Sequence, residues 1–268
     1  MAKSTNSTKS TKSGKPDDDE ARVAFGYRAV AAADKQKLVN QVFSQVAERY
    51  DQMNDLLSGG LHRLWKDDLV ALLNPPRSAR DFRVLDVAGG TGDVAFRILR
   101  TGGAGTEVVV ADISPAMMAE GRARAHNEGL AGRCRFAGAN AEALPFADRS
   151  FAAYTIAFGI RNVTRIEEAL AEAFRVLKPG GRFVCLEFSD VDVPGLDALY
   201  DAYSFTVMPA VGQVVTGEGA AYRYLAESIR TFPSAAEFAR MIGQAGFSRV
   251  QTRKLTGGIV AIHSAWRL

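Results

Sequence analysis

After Pro76 the chain settles into one repeating alternation, and that alternation restricts the fold more than any other feature. Short apolar runs recur as RVLDV (83–87), EVVVADI (107–113), CRFAGA (134–139), FAAYTIAFG (151–159) and RFVCLEF (182–188). Segments of helical period separate most of them, among them DVAFRILR, the stretch that starts at Ser114-Pro115, and IEEALAEAFRVL. Strands linked by connections long enough to hold a helix pair as parallel neighbours, with the helices covering both faces of the sheet. The pattern changes near the C-terminus, where FSRVQTRKL and GIVAIHSAWRL flank Thr256-Gly257-Gly258 and read as an antiparallel hairpin. The expectation is an α/β fold with a mostly parallel seven-stranded sheet that ends in this hairpin.

Two amphipathic helices are expected ahead of the sheet, within residues 34–76. KQKLVNQVFSQVAERY sets Leu38, Val42, Phe43, Val46 and Tyr50 on one face. LHRLWKDDLVALL repeats Leu61, Leu64, Trp65, Leu69 and Leu72 at helical spacing until Asn74-Pro75-Pro76 forbids continuation. Residues 1–33 are expected to be a disordered tail, because they open on a Ser/Thr/Lys-rich stretch without apolar period and without the apolar core of a secretory signal. Residues 34–268 then form one domain, with 194–230 inserted between the fifth strand and the hairpin. A hydrophobic share of 47% over 268 residues supports one sizeable core. No apolar run approaches the roughly 20 residues that a membrane-spanning helix needs. With 33 Lys+Arg against 30 Asp+Glu, charge gives no case for a nucleic-acid partner. Cys134 and Cys185, far apart and without metal-ligand spacing, read as buried free thiols of a reducing compartment.

VLDVAGGTGD carries the first chemistry. A strand enters a glycine turn and a helix leaves it, which turns backbone N–H groups and a helix N-terminus toward a ligand. Gly89, Gly90 and Gly92 let the backbone approach where a Cβ would intrude. The spacing D-x-A-x-G-x-G differs from the G-x-G-x-x-G of a pyrophosphate loop. It resembles the S-adenosyl-L-methionine motif of class I methyltransferases, with Ala88 in place of that motif's first glycine. The resemblance implies that Asp86 faces the methionine amino group, directly or through water. With Gly90, Thr91 and Gly92 it forms the first part of the cofactor site. Asp112, about 20 residues on, suits the ribose hydroxyls, although it could instead cap the helix that begins at Pro115. Asn140 and Ala141 follow the third strand where the adenine should lie, and LPFADRSF and LKPGG are companions of the motif. An α/β sheet closed by an antiparallel hairpin is also the architecture of these Rossmann-like enzymes.

A narrower resemblance rests on VFSQVAERYDQMNDLLSGGLHRLWK, DVAGGTGD, AFGIRNVT, EAFRVLKPGG and YRYLAESIRTFP, in that order. They are similar to the ubiquinone/menaquinone biosynthesis C-methyltransferase family over about Val42 to Leu268. Ser44 departs from a frequent acidic residue, and Ala157 from a serine near the cofactor. The resemblance implies methyl transfer to a ring carbon of a polyprenylated quinol, either a 2-methoxy-6-polyprenyl-1,4-benzoquinol or a demethylmenaquinol. Arg161 and Asn162, at the end of the fourth strand, then become the catalytic candidates, with Tyr50 and Asp51 closing the site. Arginine is too weak an acid to serve as a base near neutrality, so its task is to stabilise the quinolate or polarise a water that takes the proton. Its alternative is to pair with Glu187 or Glu142 and pin two strands. His62 and His263 stay outside the catalytic set, and no metal is expected. The insertion, rich in Tyr203, Phe205, Met208, Tyr222 and Tyr224, is expected to form a helical lid over the prenyl tail. The expected partners are the lipophilic quinol, a peripheral membrane or quinone-biosynthesis contact, and a second copy of the chain as a homodimer. The expected location is cytoplasmic, at the inner face of the membrane. Methylation of another lipophilic phenol or sterol-like molecule, and a non-catalytic cofactor-binding scaffold, stay open at this point.

Overall fold

The structure, a computed structural model, describes residues 22–46, 54–55, 58–191 and 219–268. Its first elements are the strands β1 (Arg22–Phe25) and β2 (Arg28–Ala31), which pair antiparallel as a separate two-stranded ribbon. The tail expected over residues 1–33 is therefore corrected at its end. Residues from Arg22 on are folded, because the ribbon buries Phe25 against Val39 and Tyr224.

Helix α1 (Ala32–Val46) starts two residues before the expected Asp34 and is described as far as Val46. Helix α2 (Leu61–Leu73) matches its sequence pattern in length and stops at Asn74 in the left-handed conformation, φ 51°, ahead of the two prolines. Its buried face is rotated from the one expected. Trp65 and Leu69 are buried, Leu61 and Leu64 are exposed, and His62 and Lys66 take their place in the buried stripe. Both polar side chains find acidic partners there, which makes their burial tolerable.

The main sheet contains β3 (Phe82–Val87), β4 (Thr106–Asp112), β5 (Cys134–Gly138), β6 (Phe151–Ala157), β7 (Leu177–Phe188), β8 (Ser248–Leu255) and β9 (Val260–Trp266) in the order β5-β4-β3-β6-β7-β9-β8. The first five run parallel, and β9 is antiparallel to both β7 and β8. Successive residues of the apolar runs enter opposite cores. Val84, Val108 and Val110 pack with Trp65, Leu69 and Phe96 on one face, while Leu85, Val109 and Ala111 pack with Tyr154, Leu170 and Phe238 on the other. Burial on both faces explains why these strands read as continuous apolar runs. The covering helices are α3 (Asp93–Thr101), α4 (Pro115–Asn127), α5 (Ile166–Val176), α6 (Gly219–Thr231) and α7 (Ala235–Gln244).

Two strand boundaries differ from the sequence reading. β6 ends at Ala157 because Phe158 turns to φ 56°. LKPGG, expected as a turn, lies within β7 as a bulged turn: Leu177 pairs with Phe151 but Arg182 with Ala153, Gly180 takes φ 76°, and its N–H donates to the Arg267 carbonyl at 2.6 Å. Of the insertion expected at 194–230, only its end is described, as most of α6; Tyr203, Phe205 and Met208 lie outside the described residues. No helix among the described residues is long and apolar enough to cross a membrane.

Candidate functional site

β3 lies between β4 and β6, so the chain leaves its C-terminal end at the point where strand order reverses, and a crevice opens there. The turn after β3 lines it. Ala88, Gly90 and Gly92 all have positive φ, at 51°, 53° and 85°. Ala88 thus adopts the conformation that a glycine would hold more cheaply. Its methyl is accommodated because Gly159 lies opposite, where an added Cβ would stand 2.5 Å away. Side chains at the other positions would meet the protein itself. A Cβ on Gly89 would sit 2.7 Å from Asp86 Oδ2, and one on Gly90 2.9 Å from the Met117 side chain. Gly92 sits at the N-terminus of α3, just past the cavity wall, where a Cβ would press on the Phe96 ring at 2.9 Å.

The cavity walls are Gln36, Val39 and Asn40 of α1, Lys66 of α2, the Asp86–Thr91 turn, Asp112 to Ser114, Ala139 to Ala141, and Ala157 to Gly159 with Asn162 and Val163. Asp86, Gly90, Thr91, Asp112, Asn140, Ala141, Ala157 and Asn162 are therefore brought together as anticipated.

The carboxylates differ in how much of their bonding capacity the protein uses. Asp86 is 1% exposed, and its Oδ1 accepts from Thr155 Oγ1 at 2.7 Å while Oδ2 has no partner. Burial pushes its pKa up to about 7, with the Thr155 hydroxyl and Lys66 opposing. Asp112 accepts from Gly90 N–H with Oδ2 and from Ser114 N–H with Oδ1, each at 2.8 Å. It pins the glycine turn, and the cap of α4 is Ser114. Burial raises its pKa as well, against those backbone donors. Each Asp112 oxygen keeps a lone pair for a further donor. Asp93 works against its own burial: Lys66 at 2.8 Å and Arg97 at 3.2 Å hold it down to about 2. Asn140 Oδ1 receives Glu142 N–H at 3.0 Å, which fixes the loop after β5.

Past Ala157, residues Ile160–Asn162 form a 3₁₀ turn, so Arg161 lies beyond the strand and not on its last residue. Arg161 is buried, and its Nη1 donates to the Phe158 carbonyl at 2.6 Å and to Glu187 Oε1 at 2.7 Å. Its guanidinium lies over the Phe188 ring, and its Nε–H has no partner. It is not among the residues that line the cavity. Of the two acids anticipated for it, Glu187 takes the pair; Glu142 binds Thr164 and Arg165. Asn162 does face the cavity, and its Oδ1 accepts from Tyr224 Oη at 3.0 Å while the Tyr224 ring stacks on Phe25 at 4.3 Å. Lys35 Nζ donates to the Val163 carbonyl at 3.0 Å, so α1 and α6 are both latched onto the Ile160–Val163 turn. Tyr50 and Asp51 lie outside the described residues. His263 is buried against Phe238, and His62 Nε2 bonds Asp55 Oδ1 at 2.8 Å.

Lys66, Gln36 and Asn40 escape a sequence reading. For Lys66 a signal exists: it falls three residues before Leu69, four before Val70 and seven before Leu73, the spacing of the buried stripe.

The cavity thus offers an orphaned carboxylate oxygen, a turn where backbone lies bare, and an acid beside it with lone pairs to spare. That set fits a ligand with an ammonium group at one end and a ribose at the other, and Asp86, Thr91, Asp112, Asn140 and Ala141 would hold it.

Comparison with known proteins narrows the ligand. The model of the ubiE/COQ5 methyltransferase family matches residues 30–267. The ubiquinone/menaquinone biosynthesis C-methyltransferase UbiE of Rhodopseudomonas palustris strain HaA2 is 60% identical over 244 residues, 91% of this chain and 96% of that protein. Its counterpart in Methylobacterium nodulans is 61% identical over 250 residues, 93% of this chain and 98% of that protein. Among solved structures, a SAM-dependent methyltransferase of Thermotoga maritima shares the fold at a TM-score of 0.59 and 20% identity, covering 85% of this chain and 99% of its own.

Proposed function

We propose, from the premise that the chain belongs to the ubiE/COQ5 methyltransferase family, how its residues divide the work of the reaction. The chain is an S-adenosylmethionine-dependent C-methyltransferase of ubiquinone/menaquinone biosynthesis. S-adenosylmethionine, when bound, supplies a methyl group made electrophilic by its sulfonium. The protein's part is to hold the ring carbon of the quinol in line with that methyl and to manage the proton and charge of the quinol hydroxyl.

The observation that carries this reading is the Ile160–Val163 turn. It sets Asn162 in the cavity wall and holds Arg161 directly beside it, with one guanidinium edge bound to Glu187 and an N–H unspent. A paired guanidinium is rigid and cannot take up a proton. Arg161 therefore stabilises the quinolate oxygen or orients a water that accepts the proton, while Asn162, fixed by Tyr224, orients the hydroxyl. Tyr50, outside the described residues, is the third catalytic candidate. The substrate is a 2-methoxy-6-polyprenyl-1,4-benzoquinol, a demethylmenaquinol, or both. Because that substrate is lipophilic, the enzyme meets the membrane from the cytoplasmic side.

The test is steady-state kinetics of purified Arg161→Ala and Arg161→Lys with a short-chain quinol. Loss of one well-placed donor typically lowers kcat by about 100- to 1000-fold. The expected result is a fall of that order in kcat with the affinity for S-adenosylmethionine unchanged. Near-normal kcat in folded Arg161→Ala would restrict Arg161 to pinning the turn to β7 through Glu187.

A further inference from the structure

Lys66 has a bonding pattern that its structural partner does not exhaust. Its side chain is 6% exposed, yet it lines the cofactor cavity. An ammonium carries three hydrogens, and the bond it makes within the protein goes to Asp93 Oδ2 at 2.8 Å. Asp93 has a second cation as well, since Arg97 Nε reaches Asp93 Oδ1 at 3.2 Å while Arg97 Nη1 binds Asp67. A buried ammonium that has bonded one of its three hydrogens is costly unless something else meets the others.

The complementary feature lines the same cavity: Asp86 Oδ2, fully buried and without a hydrogen-bond partner. One unspent cation and one unspent anion are thus held on the wall around the glycine turn. An α-amino acid carries the matching pair, a carboxylate and an ammonium on one carbon. Resting on the assignment of this cavity to S-adenosylmethionine, we infer that Lys66 binds the carboxylate of its methionyl group, so that Lys66 and Asp86 together read the zwitterion. Lys66 is in this sense a specificity residue: it separates the intact cofactor from molecules that carry the same adenosine and sulfur without the carboxylate.

Isothermal titration calorimetry of the full chain tests this with three ligands: S-adenosylmethionine, its decarboxylated analogue, and 5′-methylthioadenosine, which lacks the whole amino-acid arm. A hydrogen bond to a charged group contributes enough to change Kd by roughly 10- to 100-fold. The wild-type protein should prefer S-adenosylmethionine to the decarboxylated analogue by that factor. Lys66→Met should bind the two equally, Lys66→Arg should recover part of the preference, and 5′-methylthioadenosine should bind all three proteins alike. A Lys66→Met protein that keeps the wild-type preference overturns the proposal. So does one that loses 5′-methylthioadenosine to the same extent as S-adenosylmethionine, since Lys66 would then be only a strut for Asp93. Wild-type protein that binds none of the three would instead overturn the cofactor assignment itself.

Discussion

Asp86 makes cofactor binding a proton-linked event, and the size of the linkage follows from its surroundings. Its pKa is raised from 3.8 to about 7, mainly by burial. The folded state therefore holds a proton that the unfolded chain has already released, so this group favours folding below pH 3.8 and that stability is lost as pH rises through about 7. At 1.36 kcal/mol per pH unit the loss amounts to roughly 4 kcal/mol at neutral pH and above. Placing an ammonium against Oδ2 returns the carboxyl to its ionised form. If its pKa in the complex falls to the ordinary carboxylate range, Kd for S-adenosylmethionine should weaken by about 15-fold between pH 7 and pH 5.5, where an α-amino group stays protonated. About half a proton should leave per cofactor bound at pH 7. Calorimetry in two buffers of different ionisation heat measures that release directly. Burial lowers the pKa of His62 from 6.5. 5′-Methylthioadenosine, with no α-amino group, serves as the control and should bind without this dependence. Asp86→Asn keeps an acceptor for Thr155 Oγ1 and should raise the melting temperature at pH 8 while abolishing affinity for the cofactor. A Kd that is flat from pH 5.5 to 7, with equal heats in both buffers, would refute the placement of the ammonium at Asp86.

Three further perturbations test other parts of the site. Glu187→Gln leaves the buried Arg161 charge uncompensated and should cost about 3–5 kcal/mol, read as a drop in melting temperature of roughly 10 °C. Tyr224→Phe keeps the stack on Phe25 but leaves Asn162 Oδ1 unpaired, at about 1–3 kcal/mol; the quinol KM should rise while Kd for S-adenosylmethionine holds. Leu69, wholly buried between α2 and the sheet, should cost about 2–5 kcal/mol when cut to alanine, which chemical denaturation would register as a lower midpoint with an unchanged slope.

What could be read ahead of the structure follows from which forces are local. Strand runs with both faces buried announce themselves without long-range information, and so does a turn whose residues need positive φ; these put Asp86, Gly90, Thr91, Asp112, Asn140 and Ala141 on one cavity. The boundary errors arose where a local signal was overruled by a distant partner. LKPGG has every mark of a turn and bulges as one, yet Phe151 and Arg267 supply the bonds that draw it into β7. Residues 22–31 lie next to a tail without apolar period, but Phe25 finds Tyr224 some 200 residues away.

The charged side chains were the least legible, for the same reason carried further. Whether a cation is spent or unspent depends on every acid within reach, and no spacing rule counts them. For Arg161 the reading left two roles open, charge stabilisation or a pair with Glu187 or Glu142, and Glu187, one strand over, takes up one edge of it. Lys66, which no motif singles out, is buried on the cavity wall with one bond made. With Lys66 as the cation that still has hydrogens to give, recognition of the cofactor moves onto α2, and the Ile160–Val163 turn is left to the quinol. The two roles then separate by assay: changes at Lys66 should act on Kd for S-adenosylmethionine, and changes at Arg161 on kcat.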